Sequence, residues 1–179
     1  MKKPIIKFEK VSYEEFVTSC GDYIKEYEIS GRSLPDLRTV YDNIKLPTRG
    51  TKGSAGYDLY SPFGFDLPAG ENNTKTFCLG IRAIMPKNTF LAIVPRSGVG
   101  FKTGARLANT VGIIDSDYAD SDNEGHIKAK IVGGFKDLSV KAGDRVLQGI
   151  FLRYNTTIDD CASTSRNGGF GSTGSKYWY

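Results

Sequence analysis

Short runs of β-branched and aromatic residues, separated by frequent turn residues, constrain the fold more than any other feature of the sequence. From about Tyr41 onward, no apolar run is long enough to show a helical period. Segments such as Pro68-Ala69-Gly70 and Pro86-Lys87-Asn88 predict turns between the runs. The runs predicted to form strands are Thr76 to Ile84, Thr89 to Val94, Ile127 to Val132 and Arg145 to Arg153. This pattern is typical of an all-β sandwich or barrel.

The two ends of the chain differ from this strand-rich middle. Ser12 and Glu15 have the spacing of a helix capping box, which predicts a helix from Tyr13 to about Cys20 and a second helical piece around 22–28. The C-terminal end is too polar and too rich in glycine to build a core. We therefore predict three regions, which are an N-terminal extension at 1–40, a β-domain at 41–161 and a flexible C-terminal arm at 162–179.

The charged residues, histidine and cysteines exclude several classes of function. With 24 basic and 20 acidic residues the net charge is only +4, and no basic stripe predicts direct nucleic-acid binding, so a small anionic ligand fits better. A single histidine, His126, argues against a multi-His zinc site or a Ser-His-Asp triad, and we expect it on the surface of a hairpin. Cys20, Cys78 and Cys161 match neither a disulfide framework nor a zinc spacing, and Cys78 is expected to be a reduced core residue.

The sequence also predicts no contact with a membrane. No apolar run approaches the roughly 20 residues that a membrane helix needs. The two lysines near the N-terminus are not followed by an apolar stretch of signal-peptide length. We therefore expect a cytoplasmic protein.

Glycine is enriched and clustered. The chain has 21 glycines in 179 residues, against a usual frequency of about 7%. Glycine allows main-chain N–H groups to approach a ligand closely. The clusters fall at 53–56, 98–104, 133–134 and 168–174, which suggests several loops that converge on one site.

Five short segments carry residues suited to nucleotide chemistry. GSAGYDL places the carboxylate of Asp58 near the start of a strand, and PRSGVGFKTG offers an arginine, a serine and glycine N–H groups in a row. NTVGIIDSDY contains Asp115, a carboxylate that can take a proton from an attacking water. GDRVLQ begins a strand, and the tail combines an arginine, a phenylalanine and hydroxyl groups among glycines. Arginine and hydroxyl groups suit phosphate oxygens, and an aromatic ring suits a base.

The order of these segments is distinctive. Together they resemble the five motifs of the trimeric dUTP pyrophosphatase (dUTPase) family. The matches are AGYDL at 55–59, PRSG at 95–98, NTVGIIDSDY at 109–118, GDRVLQ at 143–148 and RNGGFGSTG at 166–174. The resemblance covers residues 41–174, roughly three quarters of the chain.

The resemblance implies a fold, an assembly and a reaction. The fold would be a β-clip or jelly-roll-like subunit of a homotrimer, with each active site shared and the tail of one subunit closing over a neighbour's site. The enzyme would be a dUTP diphosphatase that uses Mg2+ and directs water at the α-phosphorus of dUTP to give dUMP and pyrophosphate. Such an enzyme limits uracil in DNA and supplies dUMP for thymidylate synthesis.

The third motif would supply the base and the uracil pocket. By its place in this motif, Asp115 resembles the residue that orients and deprotonates the attacking water. Asn109 and the backbone near Ile113 and Ile114 resemble the uracil reader. Tyr118 resembles the residue that packs beneath deoxyribose and excludes a ribose 2′-hydroxyl.

The first, second and fourth motifs would bind the triphosphate. Arg96, Ser97 and Gly98 resemble phosphate ligands, and Gln148 matches a position that contacts phosphate or water. Asp58 would hold a metal-bound water, because a triphosphate usually supplies the inner ligands of Mg2+.

In the tail, Arg166 would clamp the γ-phosphate and Phe170 would cover the uracil. The phosphate oxygens would also contact Gly171, Ser172 and Thr173. The chain departs from the family pattern because Arg166 lies four residues before Phe170, where many members have five. A longer acidic insert follows Tyr118 at 119–125, and the N-terminal extension has no counterpart in the minimal pattern.

Two alternatives remain open at this point. A dCTP deaminase shares the scaffold but needs a glutamate beside the pyrimidine and typically has a pair of serines after the arginine. Here Asp115 holds the base position, and Arg96 is followed by Ser97 and Gly98. A binding module is the other alternative, in which the N-terminal extension and the acidic insert contact a regulatory protein partner.

Overall fold

A computed structural model of the chain describes residues 5–30 and 33–163, and within these ranges most regular structure is β-strand. The strands are β1 Lys7–Lys10, β2 Thr48–Arg49, β3 Tyr57–Tyr60, β4 Phe65–Leu67, β5 Thr74–Cys78, β6 Ile81–Ile84, β7 Thr89–Pro95, β8 Arg106–Leu107, β9 Gly112–Asp115, β10 Lys128–Val132, β11 Leu138–Val140 and β12 Arg145–Arg153. The helices are α1 Tyr13–Ser19, α2 Gly21–Ser30, α3 Leu37–Asp42 and α4 Ser97–Thr103, with a 3-10 helix at Ser116–Asp120.

The described strands pair into antiparallel sheets around one core. The largest has the order β2-β3-β12-β7-β9, and a second has the order β5-β10-β8. Two further pairs are β1 with β6 and β11 with β4. The all-β prediction is confirmed, and the predicted helices at 13–20 and 22–28 correspond to α1 and α2. Among the described helices, none has the length and apolar character required to span a bilayer.

One predicted strand is wrong in its extent. The run from Thr76 to Ile84 forms two strands in different sheets, β5 and β6, because the chain turns at Gly80. Gly80 has a φ of +69°, which strongly favours glycine, and a side chain there would collide with Ile44. The Gly80 N–H donates to Nε2 of His126 at 2.9 Å, so this turn is tied to a residue far along the chain.

The N-terminal segment packs into the core. β1 pairs with β6, and Phe16 on α1 is fully buried. The ring centroid of Phe16 lies 5.8 Å from that of Phe63 and 5.6 Å from that of Tyr41. This part of the chain therefore shares the hydrophobic core with the strands, and the predicted region boundaries at 40 and 161 stay predictions.

The acidic insert holds the beginning of α1. Ser12 caps the helix, since its hydroxyl accepts from the N–H of Glu15 at 3.1 Å. The Ser12 N–H donates to Oε2 of Glu124 at 2.8 Å, so the insert supplies the carboxylate that Glu15 supplies in an ordinary capping box. Glu15 instead contacts His126, whose Nδ1 lies 3.1 Å from Glu15 Oε1. The surface position predicted for His126 is wrong, because these contacts bury it completely.

We expect Glu124→Gln to weaken this attachment in a pH-dependent manner. Hydrogen bonding to Ser12, through its side chain first and its backbone N–H second, lowers the pKa of Glu124 below its ordinary value of 4.5. A carboxylate whose pKa falls on folding stabilises the protein above its unfolded pKa, and this contribution is lost as pH falls through the lowered folded pKa. In urea unfolding at neutral pH, the free energy of unfolding of the variant should be about 1 kcal/mol lower than that of wild type.

The same measurement in acid supplies the check. The free energies of unfolding of wild type and Glu124→Gln should become equal at pH values below the lowered pKa of Glu124. Asp120→Asn changes an exposed carboxylate of the same insert, and its stability should stay within about 0.5 kcal/mol of wild type at each pH. A Glu124→Gln deficit that is equal at neutral and acid pH would contradict the attachment.

Candidate active site

The five-stranded sheet brings the first, second and fourth motifs together. Asp58 on β3 lies opposite Gln148 on β12, and Gln148 lies opposite Val94 on β7. β7 ends one residue later, and Arg96 then caps the N-terminus of α4. Three motifs that are far apart in the sequence therefore meet at one end of the sheet.

Asp58 forms ion pairs with two arginines at this end of the sheet. Nε of Arg96 lies 2.7 Å from Oδ1 of Asp58, and Nη1 of Arg145 lies 3.2 Å from Oδ2. The Asp58 side chain is 12% exposed, whereas those of Arg96 and Arg145 are 31% and 50% exposed. Each guanidinium has five N–H donors, so both can bind Asp58 and still present donors to an anion. The site therefore carries more positive than negative charge.

Arg145 is a site residue that the sequence interpretation missed. It lies inside the GDRVLQ motif, three residues before Gln148, so the motif itself marked its position. Its role depends on Asp58, which is 87 positions away in the sequence. That long separation explains why the pairing was not predicted.

The beginning of α4 adds main-chain donors beside the arginines. The N–H groups of Val99 and Gly100 both donate to the carbonyl of Arg96. The N–H groups of Ser97 and Gly98 precede these bonds, in the first turn where a helix leaves its donors without helical partners. The N–H groups of Ser97 and Gly98 are therefore free of helical acceptors, and the phosphate-binding role of these residues stays a prediction.

Gln148 lies over the glycine of the first motif. A side-chain carbon at Gly56 would lie 2.8 Å from Oε1 of Gln148. Nε2 of Gln148 lies 3.5 Å from the carbonyl of Pro95, just before Arg96. The absence of a side chain at Gly56 thus makes room for Gln148, which faces the same corner as Asp58 and Arg96.

A separate pocket of about 320 Å3 is lined by half of the residues of the third motif. Asn109, Ile113, Ile114 and Tyr118 line it, together with residues 128–130 of β10. Its β9 wall is the edge strand of the five-stranded sheet, and an edge strand presents main-chain donors and acceptors on its unpaired side. The pocket therefore combines an amide, main-chain polar groups and apolar walls.

A tight turn shapes one side of this pocket. The N–H of Thr110 donates to the carbonyl of Leu107 at 3.1 Å, and the N–H of Val111 donates to that of Asn109 at 2.6 Å. Thr110 has a φ of +64°, which is unfavourable for a β-branched residue. Strained backbone of this kind persists only where the surrounding structure enforces it, and it is often found at ligand sites.

Tyr118 is held rigidly at the base of the pocket. It is 4% exposed, and its hydroxyl donates to the backbone carbonyl of His126 at 3.1 Å. The side-chain amide of Asn123 donates to the Tyr118 oxygen at 2.8 Å. Asn123 and His126 are positioning residues that the sequence interpretation missed, because nothing in the third motif points to them.

Asp115 lies at the end of β9, where it is partly buried beside Ile114. It pairs with Phe90 at one end of β7, whereas Asp58 and Gln148 are level with Val94 near the other end. Four residues along a strand and three strand spacings across the sheet correspond to roughly 13 Å and 14 Å. Asp58 and its two arginines, Arg96 and Arg145, form what we call the arginine corner. One chain therefore does not bring Asp115 next to the arginine corner.

The predicted tail residues lie outside the described ranges. These residues are Arg166, Phe170, Gly171, Ser172 and Thr173. Their predicted roles stay predictions.

Comparison with known proteins decides the family. The family described as dUTPase matches residues 42–174, which is well over half of the chain. This chain belongs to the dUTPase family. The matched range contains both the arginine corner and the pocket, and begins after the helices α1 and α2.

Individual dUTPases cover most of the chain. The deoxyuridine 5'-triphosphate nucleotidohydrolase of Yarrowia lipolytica is 38% identical over 141 residues, which are 74% of this chain and 84% of that protein. The protein of the same name from Lactococcus lactis is 37% identical over 146 residues, 78% of this chain and 95% of its own length. The crystal structure of dUTPase from Streptococcus mutans has a TM-score of 0.56 and 35% identity, and covers 63% of this chain and 88% of that one.

The described residues suit a magnesium ion that is held through water molecules better than one that is ligated directly by protein side chains. Among the described residues, no group of three or more His, Cys, Asp or Glu side chains could hold a metal ion. Both oxygens of Asp58 accept from arginines, and each carboxylate oxygen has a second lone pair that can accept from a water. This donor set suits the outer shell of a hydrated Mg2+.

Proposed function

We propose that this dUTPase hydrolyses dUTP to dUMP and pyrophosphate by directing a water at the α-phosphorus. The observation that carries the proposal is the pocket that joins Asn109, Ile113, Ile114 and Tyr118 next to Asp115. Family membership supports the overall reaction. The roles of the described residues are inferred from their positions, and those of Arg166 and Phe170 from the resemblance of the fifth motif.

The pocket binds uracil by its edge. The Asn109 amide and the main chain around Ile113 and Ile114 offer donors and acceptors that match the polar edge of the base. The tight turn at Thr110 lies next to Asn109 and, in this role, excludes the methyl group of thymine. Tyr118 packs beneath the sugar, where its ring leaves no room for a 2′-hydroxyl.

The arginine corner binds the triphosphate. Arg96, Ser97 and Gly98 donate to phosphate oxygens, and Gln148 contacts a phosphate or the water beside it. Asp58 keeps Arg96 and Arg145 in position, since each of its oxygens holds one guanidinium. Charge developing at phosphorus is then stabilised by donors that are already oriented, as is usual for phosphoryl transfer.

Asp115 acts as the general base. It accepts the proton of the attacking water, and the water oxygen forms the new bond to the α-phosphorus while pyrophosphate leaves. Mg2+, when bound to the triphosphate, would supply positive charge beside the phosphate oxygens. Asp58 would hold a water of that ion through the lone pairs that the two arginines leave free.

The assembly is a homotrimer with shared active sites. The separation of Asp115 from the arginine corner within one chain supports this proposal, because the two halves must come from different subunits to meet on one nucleotide. The tail then completes the site, with Arg166 on the γ-phosphate and Phe170 over the uracil. The enzyme works in the cytoplasm, where it limits uracil in DNA and supplies dUMP for thymidylate synthesis.

The position of Tyr118 predicts how sugar selectivity can be lost. Tyr118→Ala removes the ring beneath the sugar, so the preference for dUTP over UTP, as the ratio of kcat/KM values, should fall at least about tenfold. Tyr118→Phe keeps the ring and loses only the hydroxyl contacts to His126 and Asn123, so it should retain most of the preference. Equal losses in the two variants would show that the ring does not read the sugar.

A substrate panel tests the proposed function. Pyrophosphate release should be Mg2+-dependent and rapid with dUTP, and at background level with dTTP, UTP and dCTP. Ammonia release from dCTP should be absent, whereas its appearance would favour the deaminase reading. No turnover of dUTP by the folded 179-residue chain would overturn the proposal and favour a binding module.

A further inference from the structure

Two buried thiols lie in contact at the junction of the N-terminal segment with the strands. Cys20 ends α1 and Cys78 ends β5, and their side chains are 0% and 4% exposed. Both cysteines are free, and their Sγ atoms are 3.3 Å apart. A disulfide has an S–S length of about 2.05 Å, so a relative shift of little more than 1 Å would join them.

A small pocket borders one of the two cysteines. It has a volume of about 40 Å3 and is lined by Ser19, Tyr23, Cys78 and Lys128, among others. A space of this size accommodates a molecule as small as water or hydrogen peroxide. Larger thiol reagents do not fit, so the pair is shielded from most oxidants but not from a peroxide.

The surroundings of Cys78 favour its thiolate. The hydrogen bond between the two thiols is the largest influence on the pKa of Cys78 and, with the charge of Lys128, lowers it despite burial. The same hydrogen bond and burial raise the pKa of Cys20, which keeps its proton. Glu15 and Gly80 fix the imidazole of His126 through its two nitrogens. The pocket borders Cys78 and not Cys20, so Cys78 is the thiol that meets a peroxide first and Cys20 is its resolving thiol.

We propose that Cys20 and Cys78 form an oxidation site, at which a peroxide converts the thiol pair to a disulfide that ties α1 to β5. The Cys78 thiolate attacks a peroxide oxygen and breaks the O–O bond, which gives a sulfenic acid and a hydroxide that takes up a proton. The Cys20 sulfur then attacks the sulfenic sulfur, and its proton leaves with the displaced hydroxyl as water. Two thiols and one hydrogen peroxide become one disulfide and two waters. This inference does not depend on the nucleotide activity.

The disulfide changes stability in a measurable way. It closes a loop of 58 positions and fastens the N-terminal segment to the strand core. Constraining the unfolded chain by a loop of this length should raise the Tm by roughly 5–15 °C. Reduction with dithiothreitol should reverse the shift completely.

The test uses the full chain with Cys161→Ser, because Cys161 is exposed and would otherwise pair between molecules. The reduced protein is treated with hydrogen peroxide, and its remaining thiols are then alkylated with iodoacetamide in denaturant. The mass of the intact protein is measured by mass spectrometry. We expect a species that is two hydrogens lighter than the reduced chain and carries no alkyl group. It should form at least about tenfold faster in the native protein than in urea, because folding holds the sulfurs together.

Matched variants separate the two thiols. Cys20→Ser should leave Cys78 to give a sulfenic acid, which dimedone traps once the peroxide is removed and the protein is unfolded in urea. Cys78→Ser should give neither this adduct nor a disulfide. The proposal is overturned if both thiols of the native Cys161→Ser protein remain alkylatable after peroxide treatment. It is also overturned if the disulfide forms no faster in the native protein than in urea.

Discussion

Asp115→Asn should reduce kcat for dUTP by about 10²- to 10⁴-fold, the usual contribution of a general base. The amide is nearly the same size as the carboxylate but cannot accept a proton from water at neutral pH. Since Asp115 lies at the end of β9 and outside the pocket that binds the base, KM should change by less than about threefold. Steady-state pyrophosphate release measures both constants.

Asp117→Asn is the matched control for this variant. Asp117 is two residues further along the same segment, is exposed, and lies within the 3-10 helix. The same change of charge and shape at this position should leave kcat within about twofold of wild type. A large loss of kcat in Asp117→Asn with a small loss in Asp115→Asn would show that Asp117, and not Asp115, is the general base.

Phe16→Ala should destabilise the protein by about 3–5 kcal/mol, the range for a large aromatic side chain removed from a core. Phe16 is fully buried and its ring is stacked against Phe63, with interplanar angle 5°. It also packs against Tyr41, so its removal leaves a cavity between the N-terminal segment and the strands. Urea unfolding followed by circular dichroism measures the loss.

Ile29→Ala provides the comparison within the same segment. Ile29 lies on α2 and is 88% exposed, so its truncation should change the free energy of unfolding by no more than about 0.5 kcal/mol. If Phe16→Ala is as mild as Ile29→Ala, the N-terminal segment is an appendage and the packing described above does not stabilise the fold.

The parts of the fold that the sequence predicted are those with local signals. The strand runs and turn residues gave the all-β class, and the capping residue Ser12 placed the start of α1. The third motif likewise predicted residues that prove to line one pocket, because a contiguous motif positions its own neighbours. Local chemistry was sufficient in each case.

The parts that were missed depend on contacts between distant residues. Glu124 and Ser12 are 112 positions apart, and Gly80 and His126 are 46 apart, so no local pattern marks either contact. The acidic insert was predicted as a possible surface for a regulatory protein partner. One of its carboxylates instead contacts the start of α1, while a partner for the remaining ones stays a prediction.

The most direct test of the account is the fate of the oxygen from water. Single-turnover hydrolysis of dUTP in water enriched in 18O, with Mg2+ present, should place the label in dUMP and leave pyrophosphate unlabelled, as attack at the α-phosphorus requires. Mass spectrometry of the two products measures the distribution. Label in pyrophosphate, or products other than dUMP and pyrophosphate, would contradict the proposed reaction.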